Sequence, residues 1–180
     1  DTPLHRAAWR DSYEVARVLL RNHADDEATN EIGNTPLITA ACSDSTRVAG
    51  LLIEQGANLE AKSNQGNTAL SMAAYNNNPG VARLLIEKSA DIQATNNTGG
   101  TPLHMAAWKN SLEVATLLIE KGAELEAKNE LGNTPLNVAI WYNSLEVAIL
   151  LIEKGAELEA KNKHGNTPLH GAARNKSHEA

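Results

Sequence analysis

Apolar residues fall at helical spacing in two short stretches between residues 101 and 121. The first stretch carries Leu103, Ala106 and Ala107, which share one helix face because residues three and four positions apart are neighbours on a helix. The second stretch has Val114 and Leu118 on one side and charged residues on the other. The pattern predicts two short amphipathic helices joined by a tight turn, each with one buried face.

The residues that flank these stretches are typical of helix ends. Thr101 is a good N-cap, and Pro102 suits the first helical turn because its missing N–H would have no partner there. Gly122 follows the second helix, where a glycine supplies the left-handed cap. The polar segment 129–133 then contains the turn-forming residues Asn and Gly. One unit of the chain is therefore predicted as helix, helix and turn.

The same unit recurs along the whole chain with a period of 33 residues. Two helices of this length cannot bury an apolar face alone, so we expect neighbouring periods to stack around one continuous core. When each threonine is counted as position one, positions three, six, seven and ten are expected on the buried face of the first helix. No linker interrupts the series, which predicts a single domain over residues 1–180 with an incomplete sixth period. The periods begin at Thr2, Thr35, Thr68, Thr101, Thr134 and Thr167.

These residues resemble the ankyrin repeat: Thr-Pro-Leu-His at 101–104, Ala-Ala at 106–107, Leu-Glu-Val at 112–114, Leu-Leu at 117–118 and Gly-Ala at 122–123. The resemblance covers essentially the whole chain. It implies an all-α repeat solenoid of stacked helix-turn-helix units with projecting β-hairpin loops. It also implies a non-catalytic module that binds a protein or peptide partner through a concave face formed by the hairpin tips and first helices.

Two periods depart from this pattern at the capping glycine. His23 and Ser89 stand there in the first and third periods, and a left-handed conformation costs a non-glycine residue of order 1 kcal/mol. Asp26 also replaces an apolar residue of the other periods. We therefore expect the first and third periods to be less stable than the others.

The composition makes the few aromatic residues informative. Phe is absent and aromatics are 3% of the chain, whereas 42% is hydrophobic, so the core must rest on Ala, Leu, Ile and Val. Five of the six aromatic residues, including all three tryptophans, occupy positions eight and nine of the period. Together with position five, these positions share a helix face that is expected to lie opposite the core. Tryptophan and tyrosine dominate interface hot spots, so this face is predicted to contact the partner.

The predicted contact surface is long enough for a stable complex. Helix layers stack at roughly 8 to 10 Å, so the line from Trp9 to Trp141 would span about 30 to 40 Å, enough for an interface of roughly 800 Å² per partner. Stacking of the rings on each other, which would stiffen the groove, and self-association stay open as alternatives. The predicted partner-binding residues, taken from positions five, eight and nine and from two apolar loop tips, are Trp9, Arg10, Ile32, Met72, Tyr75, Met105, Trp108, Lys109, Leu131, Trp141 and Tyr142.

Several functions are disfavoured by charge and spacing. A formal net charge of -6 argues against nucleic-acid binding, which normally uses a basic face. No apolar run approaches 18 residues, so membrane insertion is not expected. The single cysteine, Cys42, cannot form an internal disulfide, which favours a reducing, intracellular compartment and predicts a small, half-buried residue.

The recurring histidines are predicted to be structural. His5, His104 and His170 stand three and two stacked layers apart, roughly 20 to 30 Å, which is too far to share one metal ion. Hydrogen bonding within the turn network of the repeat is expected instead. The sequence therefore predicts no enzyme, no metal and no cofactor.

Three further hypotheses concern origin and role. The chain could be a structural spacer or scaffold segment of a longer repeat protein, with specificity elsewhere. Varied side chains above a repetitive frame are also typical of a selected artificial binder. Because the chain begins inside a period and stops after one helix of the sixth, we expect a fragment of a longer array. We also expect the protein to be a monomer.

Overall fold

The computed structural model describes the backbone of residues 1–176 and the side chains of residues 1–172. Within these residues the chain is all-helical, and no strand is present. Each period contributes a first helix and then a second helix, apart from the last, for which one helix is described. The helices are α1 (Pro3–Trp9), α2 (Tyr13–Arg21), α3 (Pro36–Cys42), α4 (Thr46–Glu54), α5 (Ala69–Asn76), α6 (Pro79–Glu87), α7 (Pro102–Lys109), α8 (Leu112–Glu120), α9 (Pro135–Trp141), α10 (Leu145–Glu153) and α11 (Pro168–Lys176).

The helices form two layers that run along the array. Each first helix packs on the next first helix, from α1 through α3, α5, α7 and α9 to α11, and the second helices stack in the same way. Leu103, Ala106 and Ala107 are buried between the layers, together with Val114 and Leu118. The all-α stacked solenoid predicted from the period is therefore confirmed.

The predicted threonine caps form their hydrogen bond in four periods, whereas the side-chain oxygen of Thr101 lies 2.9 Å from Nδ1 of His104. The side-chain oxygens of Thr2, Thr35, Thr68 and Thr134 accept hydrogen bonds from the backbone N–H three residues later. These bonds satisfy one of the N–H groups that every helix start leaves unpaired. At the other end of the unit, Gly122 adopts φ +90, and His23 and Ser89 adopt φ +62 and +68 at the equivalent positions. The two substitutions thus occupy left-handed backbone, as the sequence predicted.

The prediction for position ten was wrong. In the first five periods its residues do not lie on the buried face of the first helix, because that helix ends at position eight or nine. They instead adopt left-handed conformations, with φ between +49 and +56, which short Asp and Asn side chains tolerate. Their Oδ1 atoms accept hydrogen bonds from the second helix of the next period. The donor is the backbone N–H of the third residue of that helix. The four bonds join Asp11 to Val48, Asp44 to Val81, Asn77 to Val114 and Asn110 to Val147, at 2.9, 2.8, 3.4 and 3.1 Å.

The projecting loops of the described residues are tight turns without a strand, and they are tied to one another. A backbone N–H of each loop donates to a carbonyl of the loop before it, as from Asn64 to Ile32 at 3.1 Å. Gly33, with φ +76, lies so close to the next loop that an added Cβ would be 2.5 Å from the Asn64 nitrogen. Glycine is required there by both conformation and space. The other loop-to-loop bonds join Asn97 to Gln65, Glu130 to Thr98 and Lys163 to Leu131.

A third link between periods comes from glutamates near the loops. Oε1 of Glu27, Glu60 and Glu126 accepts from the backbone N–H 31 residues later, at 2.7 to 2.8 Å. These bonds, like those of position ten, cross from one period to the next. They therefore hold successive periods in register. None of the described helices is long and apolar enough to cross a membrane.

Candidate partner-binding surface

The first helices and the projecting loops enclose two grooves on the same side of the array. The larger groove, of about 1630 Å³, lies between the loops of residues 64–67, 96–100, 129–133 and 162–167 and the helices α5, α7 and α9. The smaller groove, of about 430 Å³, lies at the N-terminal end. Its lining residues are Asp1, His5, Arg6, Trp9, Arg10, Asn30, Ile32, Asn34, Thr39 and Cys42.

Three of the predicted aromatic residues contact one another in the larger groove. The ring centres of Tyr75 and Trp108 lie 5.3 Å apart, nearly perpendicular, and those of Trp108 and Tyr142 lie 5.4 Å apart. Lys109 adds its Nζ atom 4.6 Å from the Tyr75 ring centre and 5.7 Å from that of Trp108. We call these four residues the aromatic cluster. It links α5, α7 and the end of α9, and it still leaves Trp108 38% exposed.

The other two tryptophans lie at separate places along the concave side. Trp9 is 58% exposed in the wall of the smaller groove and makes no ring contact with the described residues. Trp141 is also exposed and lines the larger groove. The predicted aromatic line is thus divided between the two grooves, with the half-buried Cys42 at position eight between them. Arg174, at position eight of the sixth period, lies outside the described side chains.

Position five is more buried than the sequence predicted. Thr39, Met105 and Val138 expose 9% of their surface or less, so the expectation that this position faces away from the core is wrong for them. The loops explain the difference, since Nδ2 of Asn96 lies 4.0 Å from Sδ of Met105. These side chains form the groove floors and not an exposed patch, whereas Met72 is half-buried.

The two apolar loop tips project into solvent beside the grooves. Ile32 lines the smaller groove and Leu131 the larger one, and both are mostly exposed although their carbonyls accept from the next loop. Arg10 is exposed beside Trp9, whereas Lys109 lies over the rings of the aromatic cluster. Arg6, which the sequence analysis did not select, also lines the smaller groove. Its spacing of four residues from Arg10, which directly follows the same helix, was the signal that could have identified it.

The recurring histidines have the predicted structural role. The backbone N–H of Thr101 donates to Nδ1 of His104 at 3.2 Å, so Nδ1 carries no proton. Nε2 therefore carries it and donates to the carbonyl oxygen of Asn133 at 2.9 Å. His5 repeats this arrangement with Thr2 and Asn34. Burial lowers the pKa of His104, while the bond to Asn133 opposes that effect, and the ring is neutral in the folded protein.

The described residues show no sign of metal or thiol chemistry. No three His, Cys, Asp or Glu side chains among them come close enough to hold a metal ion. Burial raises the pKa of the Cys42 thiol to about 11, so this group stays protonated near neutral pH and is a poor nucleophile.

Paired short helices, stacked in two layers with loops that border a concave groove, define a helical repeat protein. A family model described as ankyrin repeats, in three copies, matches residues 4–96, 59–129, 91–162 and 128–180. These overlapping matches span nearly the whole chain, and the protein belongs to the ankyrin repeat family. No curated protein was found to match the sequence.

Proposed function

We propose that this protein is a non-catalytic binding module whose partner, a protein or an extended peptide, lies along the concave side. Ankyrin repeats are generally protein–protein interaction modules. The observation that carries the proposal is the pair of grooves with exposed large apolar side chains at their walls. These side chains are Trp9, Ile32, Leu131, Trp141 and Tyr142.

The exposure of these residues supports contact with a partner. When a partner covers an exposed tryptophan or tyrosine, the side chain makes a large favourable contribution to the free energy of binding, because it buries a large area and has few rotatable bonds. Polar loop residues, including Asn64 and Asn97, line the larger groove beside this apolar surface, although their Nδ2 groups already donate to the preceding loops. A mixed apolar and polar lining is typical of protein interfaces.

The test is affinity capture from a cell lysate with three forms of the protein. These are the wild type, the Trp9→Ala, Trp141→Ala double variant, and Leu145→Ala as a control. Leu145 is an exposed apolar residue of α10 outside both grooves. We expect a partner that the wild type and the control retain and the double variant loses, with a loss of affinity of about 2 kcal/mol or more. Equal retention by all three folded forms would contradict the proposal.

A structural spacer is the second candidate, and the aromatic cluster favours it. Rings of Tyr75, Trp108 and Tyr142 that contact each other stiffen the array without any partner. Under this hypothesis the Trp9→Ala, Trp141→Ala variant captures the same proteins as the wild type. The capture experiment therefore separates the two candidates, because Trp9 lies outside the aromatic cluster.

A further inference from the structure

The smaller groove contains two guanidinium groups without a carboxylate partner. Arg6 and Arg10 are four residues apart, Arg6 in α1 and Arg10 just after it, so both project from the same face. Both are exposed, and among the described side chains the ion pair formed is between Arg17 and Glu14, away from this groove. Asp1 also lines the groove, but its carboxylate accepts from Asn30 Nδ2 at 2.9 Å and forms no ion pair with either arginine.

The groove wall also holds a buried hydroxyl group that lacks a hydrogen-bond partner. Thr39 is 7% exposed, and its Oγ1 atom has no partner among the described residues. A buried polar group that lost its water without gaining a partner costs free energy, so such groups are rare in native proteins. An acceptor atom supplied by a bound molecule would satisfy this hydroxyl.

Several other polar groups of the groove are already engaged. Nε2 of His5 donates to the carbonyl oxygen of Asn34 at 2.7 Å, and Oδ1 of Asn30 accepts from the N–H groups of Ile32 and Asn34. The two guanidinium ions left for a ligand are donors only, and the Thr39 hydroxyl can donate as well as accept. A negatively charged ligand that offers acceptors is complementary to these three groups. Trp9 and Ile32 supply apolar walls around it.

We propose that this groove binds the carboxylate of a glutamate or aspartate side chain of the partner protein. Arg6 and Arg10 hold its oxygens, the Thr39 hydroxyl donates to it, and Trp9 and Ile32 pack on the apolar residues beside it. Arginine suits this task because its planar fork of N–H groups matches the two oxygens of a carboxylate. The proposal rests on the proposed function, since it places the partner on the concave side. It adds that the smaller, N-terminal groove receives an acidic residue of the partner.

The test uses two blocked pentapeptides, Gly-Leu-Glu-Leu-Gly and the same peptide with glutamine in place of glutamate. Binding is followed by NMR through the indole N–H signal of Trp9. We expect the glutamate peptide to bind about tenfold more tightly, because hydrogen bonds between charged groups are roughly twice as strong as neutral ones. This preference is expected to disappear in the Arg6→Gln, Arg10→Gln variant and to decrease in Thr39→Val. It is expected to persist in Arg21→Gln, which removes an exposed arginine of α2 outside the groove.

The outcomes separate this proposal from the proposed function. Equal binding of the two peptides by the wild type, or the same loss in Arg21→Gln as in the double variant, would overturn the carboxylate site. Binding of a phosphoserine peptide but not of the glutamate peptide would also overturn it and would indicate a phosphate site. If the captured partner depends on Trp141 but not on Arg6 and Arg10, the proposed function stands and the carboxylate site does not. A thermal melt of each variant establishes that it remains folded.

Discussion

Nε2 of His104 donates to the carbonyl oxygen of Asn133, 29 residues later in the chain and directly before the threonine that begins the next period. The other ring nitrogen accepts from Thr101, so the neutral ring joins the start of α7 to the segment that precedes α9. A second proton on the ring would convert the accepting nitrogen into a donor and break the bond from Thr101. The fold therefore requires a neutral imidazole at this position.

This requirement predicts a pH dependence of stability. The pKa of His104 lies below its ordinary value of 6.5 in the folded protein, mainly because the ring is buried. The unfolded chain consequently takes up a proton that the folded chain resists, so stability is full above pH 6.5 and falls as pH decreases from 6.5 through the folded pKa. Urea unfolding between pH 8 and pH 5 measures this slope.

The control is His104→Asn, because the chain already uses asparagine at the equivalent position. Asn137 Oδ1 accepts from the Thr134 backbone N–H at 2.9 Å, as the histidine ring does from Thr101. We expect the variant to be less stable at pH 8, since the bond to Asn133 is lost, but to have a shallower pH dependence. Identical slopes in the wild type and the variant would show that His104 is not responsible.

The left-handed positions of His23 and Ser89 predict stabilising substitutions. His23→Gly and Ser89→Gly should each raise the free energy of unfolding by about 0.5–1 kcal/mol, because glycine adopts positive φ without steric cost. Gly122→Ala is the matched reverse change. A Cβ there would meet no atom within 4 Å, so any destabilisation comes from the backbone alone. Destabilisation by the two glycine substitutions, measured by urea unfolding, would refute the assignment.

Contact between successive loops predicts a difference between two glycines with the same backbone. Gly33 and Gly165 both have φ +76, but a Cβ on Gly33 would be 2.5 Å from the Asn64 nitrogen, whereas one on Gly165 would meet nothing within 4 Å. Both alanine variants carry the cost of positive φ, and only Gly33→Ala also separates the loops. We expect Gly33→Ala to lower the free energy of unfolding by about 2 kcal/mol or more in total. Faster hydrogen exchange of the Asn64 N–H, which bonds Ile32, would locate the damage.

The two environments of tryptophan predict different effects on stability. Trp108→Ala removes the ring contacts with Tyr75 and Tyr142, each worth about 0.5–1.5 kcal/mol beyond the area buried, so the melting temperature should fall. Trp9→Ala removes a ring that is 58% exposed and should change the melting temperature little. A double-mutant cycle of Trp108→Ala with Tyr75→Leu measures the coupling between the rings. No coupling would mean that the cluster does not stiffen the array.

Much of the fold was predictable because the information is local. Thr2 and Thr35 cap their helices through atoms three residues away, and Leu103 and Ala106 are buried because one helix turn brings them to one face. The positions of the second helix and of its left-handed cap followed in the same way. The same local pattern recurs in every period, and this repetition indicated that the periods stack on one another.

The features that sequence reasoning missed depend on the neighbouring period. Asp44 lies outside the helix that spacing alone assigned to it, and its carboxylate caps α6, 37 residues further on. Met105 is covered by the loop that contains Asn96, so a position on the outer face of a helix became part of a groove floor. Both outcomes depend on the distance and rotation between stacked periods, which no spacing within one period contains.

The sequence by itself determined the unit, its helices and caps, the family and the concentration of aromatic residues at two positions of the period. These properties arise from contacts within a few residues, which the order of side chains specifies directly. Only the tertiary structure decided that Trp108 contacts Tyr75 and Tyr142, and that Arg6 and Arg10 share a groove with the unpaired hydroxyl of Thr39. Groups from different periods meet there because stacking brings residues about 33 positions apart side by side, and the stacking geometry sets which atoms are left without a partner.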